Sequence, residues 1–332
     1  MRFWIGARGA DMGASATGIG AVSSGDDGTL VSEGVAALAP SPTWLAPHPR
    51  LDVVYAALEK AGQVAAFARV GEAALEQIGG TVVAGDATCH LAVAPDGSGL
   101  VASCWGDGRV VYVPLAADGA LGLPGLAPAA EDPYDVGGRP TRAHSAAFLP
   151  DGRVATTDLG FDLVRIWGVG SGRLLPDHEV VLPQGSGPRH MVMHDSGRLF
   201  VVTEFSCEVV TLAEGGDGLW GVFSTVDTGA ADGDTGAELA ASPDGRILYA
   251  GLRGSDRIAV LRVDPEVIVP IALVDAGVKV PRHHVVAEGR LLVAGQRSDE
   301  IVALEIDEAT GIPGAVVARL DTPTPQHIRP VG

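Results

Sequence analysis

Residues 144–152 read HSAAFLPDG: a polar residue leads a short apolar run that ends in Pro-Asp-Gly. Asp-Gly between apolar runs marks a β-hairpin, because Gly takes a positive φ at little cost. The same phrase returns as HLAVAPDG at 90–97, HMVMHDSG at 190–197 and ELAASPDG at 238–245. Looser copies are WLAPHPR from Trp44, HHVVAEG from His283 and HIRP from His327. Successive starts lie between 44 and 54 residues apart. A repeat of about 40–50 residues holding several short strands is the period of propeller blades. Helical repeats would need apolar residues at 3.6-residue spacing, which the chain does not show. The fold class is all-β, and the spacing predicts a seven-bladed β-propeller.

The seventh start lies close to the C-terminus, so its blade has to find its other strands elsewhere. Residues 1–30 supply RFWIGA, TGIGAV and a Gly-Asp-Asp-Gly turn, a blade without its first strand. Pairing His327-Ile-Arg-Pro with the N-terminal strands would close the ring and hide the sheet edges that an open array exposes. The repeat leaves no linker, so residues 1–332 are expected to form one domain.

Composition narrows the function. Hydrophobic residues make up 46% and charged residues 19%, with 46 Gly and 22 Pro, as suits a buried all-β fold rich in tight turns. No run of about 18 apolar residues suggests a membrane span, and the N-terminus lacks the apolar core of a secretion signal. A cytoplasmic protein without membrane contact is expected. The net charge of −18 argues against nucleic acid, whose phosphates call for a basic surface. Cys89, Cys104 and Cys207 are odd in number and lack zinc spacing, so buried free thiols are expected rather than a metal site beside His90. No cofactor is expected. The sequence leaves the oligomeric state open.

All innermost strands of a propeller run the same way, so the polar residues that begin them gather at one mouth of the channel. The hairpin length predicts side-by-side pairs: Trp44 with Glu59, His90 with Trp105, His144 with Asp158, Arg189 and His190 with Glu204, Glu238 with Arg253, and Arg282 and His283 with Gln296. Any one such pair is unremarkable as a blade-end cap, but six blades contributing together point to a small-molecule site. Arg189, Arg253 and Arg282 would form a positive island in an acidic protein, suited to a small anionic substrate held bidentately. His144 and Glu204 are the candidate acid–base groups. No nucleophile-elbow serine and no three-ligand metal spacing occurs in the sequence.

Four segments in order, HSAAFLPDGRVATTDLGFD, GPRHMVMHDSGRLFVVTE, ELAASPDGRILYAGLRGSD and PRHHVVAEGRLLVAGQRSDEI, resemble the seven-bladed lactonase family. That family includes propeller-type 6-phosphogluconolactonases and carboxy-muconate lactonising enzymes. The resemblance spans essentially the whole chain and is strongest over 85–305. It implies a metal-independent site at the channel mouth, with His144, Arg189, Glu204 and Arg253 as catalytic positions. Asp158, His190, Arg282, Gln296 and His90 would be the substrate-binding positions. The chain departs from the family where Arg142 replaces a second His, where Leu252 replaces an Asn before Arg253, and in a longer 117–141 loop, read as a surface excursion rather than a lid.

Three functions follow from this reading. Hydrolysis of a 6-phosphogluconolactone-like lactone leads, with either His144 or Glu204 as base. A muconate-type cycloisomerase would use the same acid–base pair and arginines. A non-catalytic binding platform would use the same mouth without turnover.

Overall fold

The computed structural model of the chain describes residues 1–25 and 27–331. Among them lie seven antiparallel sheets of four strands each. Blade 1 consists of Pro42–Pro47, Val53–Leu58, Gln63–Arg69 and Leu75–Val83, ordered from the channel outward. The innermost strands of blades 2 to 6 are Thr88–Val93, Ala143–Phe148, Pro188–Met193, Gly236–Ala241 and Pro281–Ala287. Blade 7 is composite, as the sequence predicts. Pro325–Val331 pairs with Arg2–Ala7, and Gly18–Ser24 and Leu30–Leu38 complete the sheet. The ring is thus closed by chain ends held in one hydrogen-bonded ladder.

The core is divided into seven apolar clusters, one in each seam between adjacent blades. Neighbouring residues of one strand serve different seams. Val201 packs towards blade 3, whereas Val202 packs towards blade 5. A strand buried on both faces needs apolar residues without alternation. Hence Val53–Leu58, VVYAAL, is buried throughout, while the outer strand Leu75–Val83 is largely exposed.

One irregularity recurs in every blade and builds the site. Each innermost strand carries a β-bulge at its channel-mouth end: Pro42/Trp44, Thr88/His90, Ala143/Ala146, Pro188/Met191, Gly236/Leu239 and Pro281/His283, with blade 7 slipping between Gly6 and Ala7. A bulge inserts an unpaired residue and re-aims its side chain. The bulged positions are Thr43, Cys89, His144, Arg189, Ala237, Arg282 and Gln326. The residues that follow them are Trp44, His90, Ser145, His190, Glu238, His283 and His327. These sets form two stacked seven-membered rings, one at the mouth and one beneath it.

The bulge also corrects the expected pairs. Trp44 lies opposite Ala57 and His90 opposite Ser103, not Glu59 and Trp105. It also shifts His144 out of phase. His144 shares the mouth ring with Arg189, and Ser145 is the true counterpart of His190.

Candidate functional site

The lower ring closes the channel. The Trp44 indole stacks on His90 at 4.2 Å and on His327 at 4.0 Å, and meets His190 across the channel at 5.1 Å between ring centroids. The bulges leave backbone N–H groups without strand partners, and histidines of the preceding blade accept them. Leu45 N–H donates to His327 Nδ1, Ala146 N–H to His90 Nδ1 and Ile328 N–H to His283 Nδ1, each at 3.3 Å. An Nδ1 that accepts fixes the neutral tautomer with its proton on Nε2. Burial drives the pKa of all three far down, so they stay neutral.

Blade 5 replaces the histidine with a carboxylate. Glu238 Oε1 accepts the N–H of Leu239 at 3.1 Å, and Oε2 accepts His190 Nδ1–H at 2.8 Å. The Nε2 of His283 lies 3.4 Å from the same Oε2. Glu238 therefore faces His190 and His283, not Arg253, the partner expected from hairpin length.

The upper ring opens into a narrow cleft of about 10 Å³. It is lined by Thr43, Cys89, His144, Arg189, Arg282 and Gln326 of that ring, with Trp44, His190 and Glu59 beside them. Arg189 is fully buried. Its Nε donates to Glu204 Oε2 at 2.9 Å and its Nη1 to the Ala237 carbonyl at 2.6 Å. Ser145 and Thr157 hydroxyls hold the Arg189 carbonyl at 2.6 and 2.8 Å, which pins its backbone as well. Arg253 Nη2 reaches the other Glu204 oxygen at 3.0 Å and also donates to the Gly236 carbonyl. Arg8 comes in from blade 7, with Nη2 3.9 Å from Glu59. Arg282 has no carboxylate partner among the described residues.

Electrostatics separates the two acid–base candidates. Burial disfavours charge on Glu204, but Arg189 and Arg253 outweigh it and hold the carboxyl below its ordinary value. Glu204 is the shared counterion of two guanidiniums, and as a base it is weakened. Burial, then Arg189 and His190, push His144 well below the ordinary histidine value, so its imidazole is neutral. Its Nδ1 is buried and has no hydrogen-bond partner. Four arginines (Arg8, Arg189, Arg253 and Arg282) thus stand against two carboxylates (Glu59 and Glu204), and burial, then repulsion from Arg282, lowers the pKa of Arg8.

Other expected site residues lie elsewhere. Asp158 spends both oxygens on its own loop, accepting from Thr141 Oγ1 and from the N–H groups of Arg142, Gly160 and Phe161 at 2.8 to 3.0 Å. It shapes the turn after His144's hairpin and does not line the cleft. Gln296 is outside the lining, its N–H bonded to the Val280 carbonyl at 3.1 Å. His90 belongs to the lower ring, as a blade clasp. Arg142 stacks on Trp105 at 4.1 Å and donates to the carbonyls of Trp105 and Gly106. Leu252 is buried core. In the 117–141 loop, Arg139 ties Asp132 to Asp162 and to the Gly160 carbonyl, so the loop is fastened to blade 3.

Residues not singled out from sequence, Arg8, Thr43 and Gln326, complete the mouth. The signal for two of them is a recurring tripeptide at the bulge: PTW at 42–44, PRH at 188–190, PRH at 281–283 and PQH at 325–327. Among the described residues no group of three His, Cys, Asp or Glu side chains is arranged to hold a metal ion. No helix among them is long and apolar enough to cross a membrane.

Comparison with known proteins agrees with this architecture. Residues 3–330 match the family model described as "Lactonase, 7-bladed beta-propeller". A 6-phosphogluconolactonase of Bacillus subtilis (strain 168) is 27% identical over 307 residues, covering 87% of each chain. The structure of a Lactobacillus plantarum protein superposes with a TM-score of 0.89 at 24% identity, over 99% of this chain and 98% of that one. The Pseudomonas aeruginosa periplasmic gluconolactonase PpgL superposes with a TM-score of 0.86 at 22% identity, over 99% of both chains. At these identities the two structures speak to the fold alone. With the family model matching nearly its full length, the chain belongs to the seven-bladed β-propeller lactonase family.

Proposed function

We propose that this protein hydrolyses a small anionic lactone in the mouth cleft, with a 6-phosphogluconolactone-type δ-lactone as the first substrate to test. The observation that carries this reading is the neutral His144, its Nδ1 unpartnered, beside Arg282, which has no carboxylate partner among the described residues, in one cleft. The sequence similarity to a 6-phosphogluconolactonase supports the reaction class.

Hydrolysis begins with water adding to the lactone carbonyl carbon. His144 takes a proton from that water, which a neutral imidazole can do at neutral pH. The carbonyl π electrons move to oxygen, and the oxyanion is stabilised by Arg253 or Arg189, whose positions are fixed before the charge develops. The intermediate then collapses, breaking the ring C–O bond. Protonated His144 returns its proton to the departing ring oxygen, which becomes the hydroxyl of the open acid. Arg282 holds the substrate's phosphate or carboxylate. Glu204 keeps the two catalytic arginines in place. No step calls on a metal or a cofactor. The three free thiols, all buried, suit a reducing compartment, and we place the protein in the cytoplasm.

The test is pH-stat turnover of freshly made lactones with and without a phosphate group. Turnover of the phosphorylated lactone above the spontaneous rate, reduced by Arg282→Met mainly through KM, supports the reading. Binding without turnover would return the protein to the class of non-catalytic platforms.

A further inference from the structure

We infer that the seam between blades 7 and 1 holds a second binding site, for a small oxyanion, centred on Arg329 and opening on the face opposite the mouth cleft. Three residues along from the bulged position, six of the seven innermost strands carry a small apolar side chain: Ala46, Ala92, Ala147, Val192, Ala240 and Val285. Blade 7 carries Arg329 at this position, directly opposite Trp4 in the ladder. The fold has no use for an arginine there, since the other six seams pack the same place with Ala or Val.

The guanidinium is largely withdrawn from solvent, and burial lowers its pKa. An arginine nevertheless keeps its charge. Its buried Nε has no hydrogen-bond partner, and among the described residues no carboxylate lies within ion-pair distance of it. A buried charge without a counterion is costly, and its removal is usually favourable. Arg329 borders a cavity of about 780 Å³ that Arg50, Arg69, Asp52 and Trp4 also line. Arg69 is anchored on the carbonyls of Gly71 and Glu72 at 2.8 and 3.2 Å, and Arg50 on that of Asp96. Among the described residues Asp52 is the only carboxylate in the lining; it is mostly exposed and 3.9 Å from Arg69. Among the described residues, three guanidinium side chains against one solvated side-chain carboxylate leave the cavity positive in a chain of net charge −18. The fork of Arg329 matches a phosphate or carboxylate bidentately.

The site is tested by thermal unfolding of the full chain against inorganic phosphate and, separately, malonate. The set is wild type, Arg329→Ala, Arg329→Lys and, to silence the mouth, Arg282→Met. Ala is the residue four other blades carry at this position, so the fold accommodates it. The expected result is a saturable rise in Tm of about 3 °C with at least one anion. The rise persists in Arg282→Met, shrinks when Arg329→Lys is added to that variant and is lost when Arg329→Ala is added to it. The arm that responds identifies phosphate or carboxylate as the ligand chemistry. A rise abolished by Arg282→Met but intact in Arg329→Ala would place all anion binding at the mouth and overturn the inference. So would the lack of any rise with both anions in Arg282→Met.

Discussion

Buried Arg189 and half-buried Glu204 form an ion pair, Nε to Oε2 at 2.9 Å, and the second Glu204 oxygen is taken by Arg253 at 3.0 Å. This sharing decides what Glu204 does. A carboxylate that neutralises two arginines is poorly placed to collect a proton as well. Removing it leaves two positive charges side by side without their shared counterion. Glu204→Gln is therefore expected to destabilise the fold by about 3 kcal/mol, the cost typical of breaking a buried pair from one side. Chemical denaturation measures that loss, and kcat should fall with it because the arginines lose their positions. A variant with wild-type stability and a shifted pH profile would instead mark Glu204 as the base.

His144 has the opposite character: its buried Nδ1 has no hydrogen-bond partner to lose, and its ring packs at 5.0 Å from that of His190. His144→Ala is expected to lower kcat by about 10²- to 10⁴-fold, with a change in stability below about 1 kcal/mol. The pH profile gives the sign. A base must be unprotonated, and the pKa of His144 is held well below its ordinary value of 6.5 by burial and by Arg189. Rate should therefore be flat across neutrality and fall only well below pH 6.5. An acid limb centred at or above 6.5 would contradict this assignment.

Among the described residues, Arg282 is the cation of the cleft without a carboxylate partner. Arg282→Met should raise KM for a phosphorylated lactone by about 10- to 100-fold, the worth of one charge-assisted bidentate contact, with little change in kcat. Turnover of an uncharged lactone should be almost unaffected. Equal losses on both substrates would show that Arg282 supports the fold or the chemistry instead.

The histidine clasps predict how stability follows pH. His90, His283 and His327 accept backbone N–H groups through Nδ1 and can do so only when neutral. Burial depresses their pKa in the folded chain, so below about 6.5 the unfolded chain binds more protons than the folded one. Their stabilisation is complete above that value and declines as pH falls towards the folded-state pKa, by up to about 1.4 kcal/mol per pH unit for each histidine. Urea denaturation between pH 7 and pH 5 measures the slope. His283→Gln should flatten it by about one proton.

Much of this was legible in the sequence, and the gaps have physical causes. The Pro-Asp-Gly turns announced the hairpins, and their spacing announced seven blades, because a hairpin turn is specified locally by residues that accept positive φ. Ring closure was legible because His327 begins a blade that the C-terminus leaves unfinished. The cluster of His144, Arg189, Glu204, Arg253 and Arg282 was legible because all lie at strand ends facing one mouth. The bulge was not, since it is a property of pairing between two strands rather than of either one. Missing it put His144 in phase with His190, opposed Glu238 to Arg253, and sent Asp158 and Gln296 into the site. Arg8 was hidden for another reason: it reaches the mouth only through the composite blade, from residues far away in sequence.

The proposed chemistry is the opening of a lactone ring in the cleft at His144. The most direct measurement is pH-stat hydrolysis of fresh 6-phosphoglucono-δ-lactone by wild type, His144→Ala and Arg189→Ala, each set against the uncatalysed rate. Wild-type turnover is expected at least several hundredfold above background, with both variants falling close to it. Wild-type turnover at the background rate, or a His144→Ala variant as fast as wild type, would contradict the proposed chemistry.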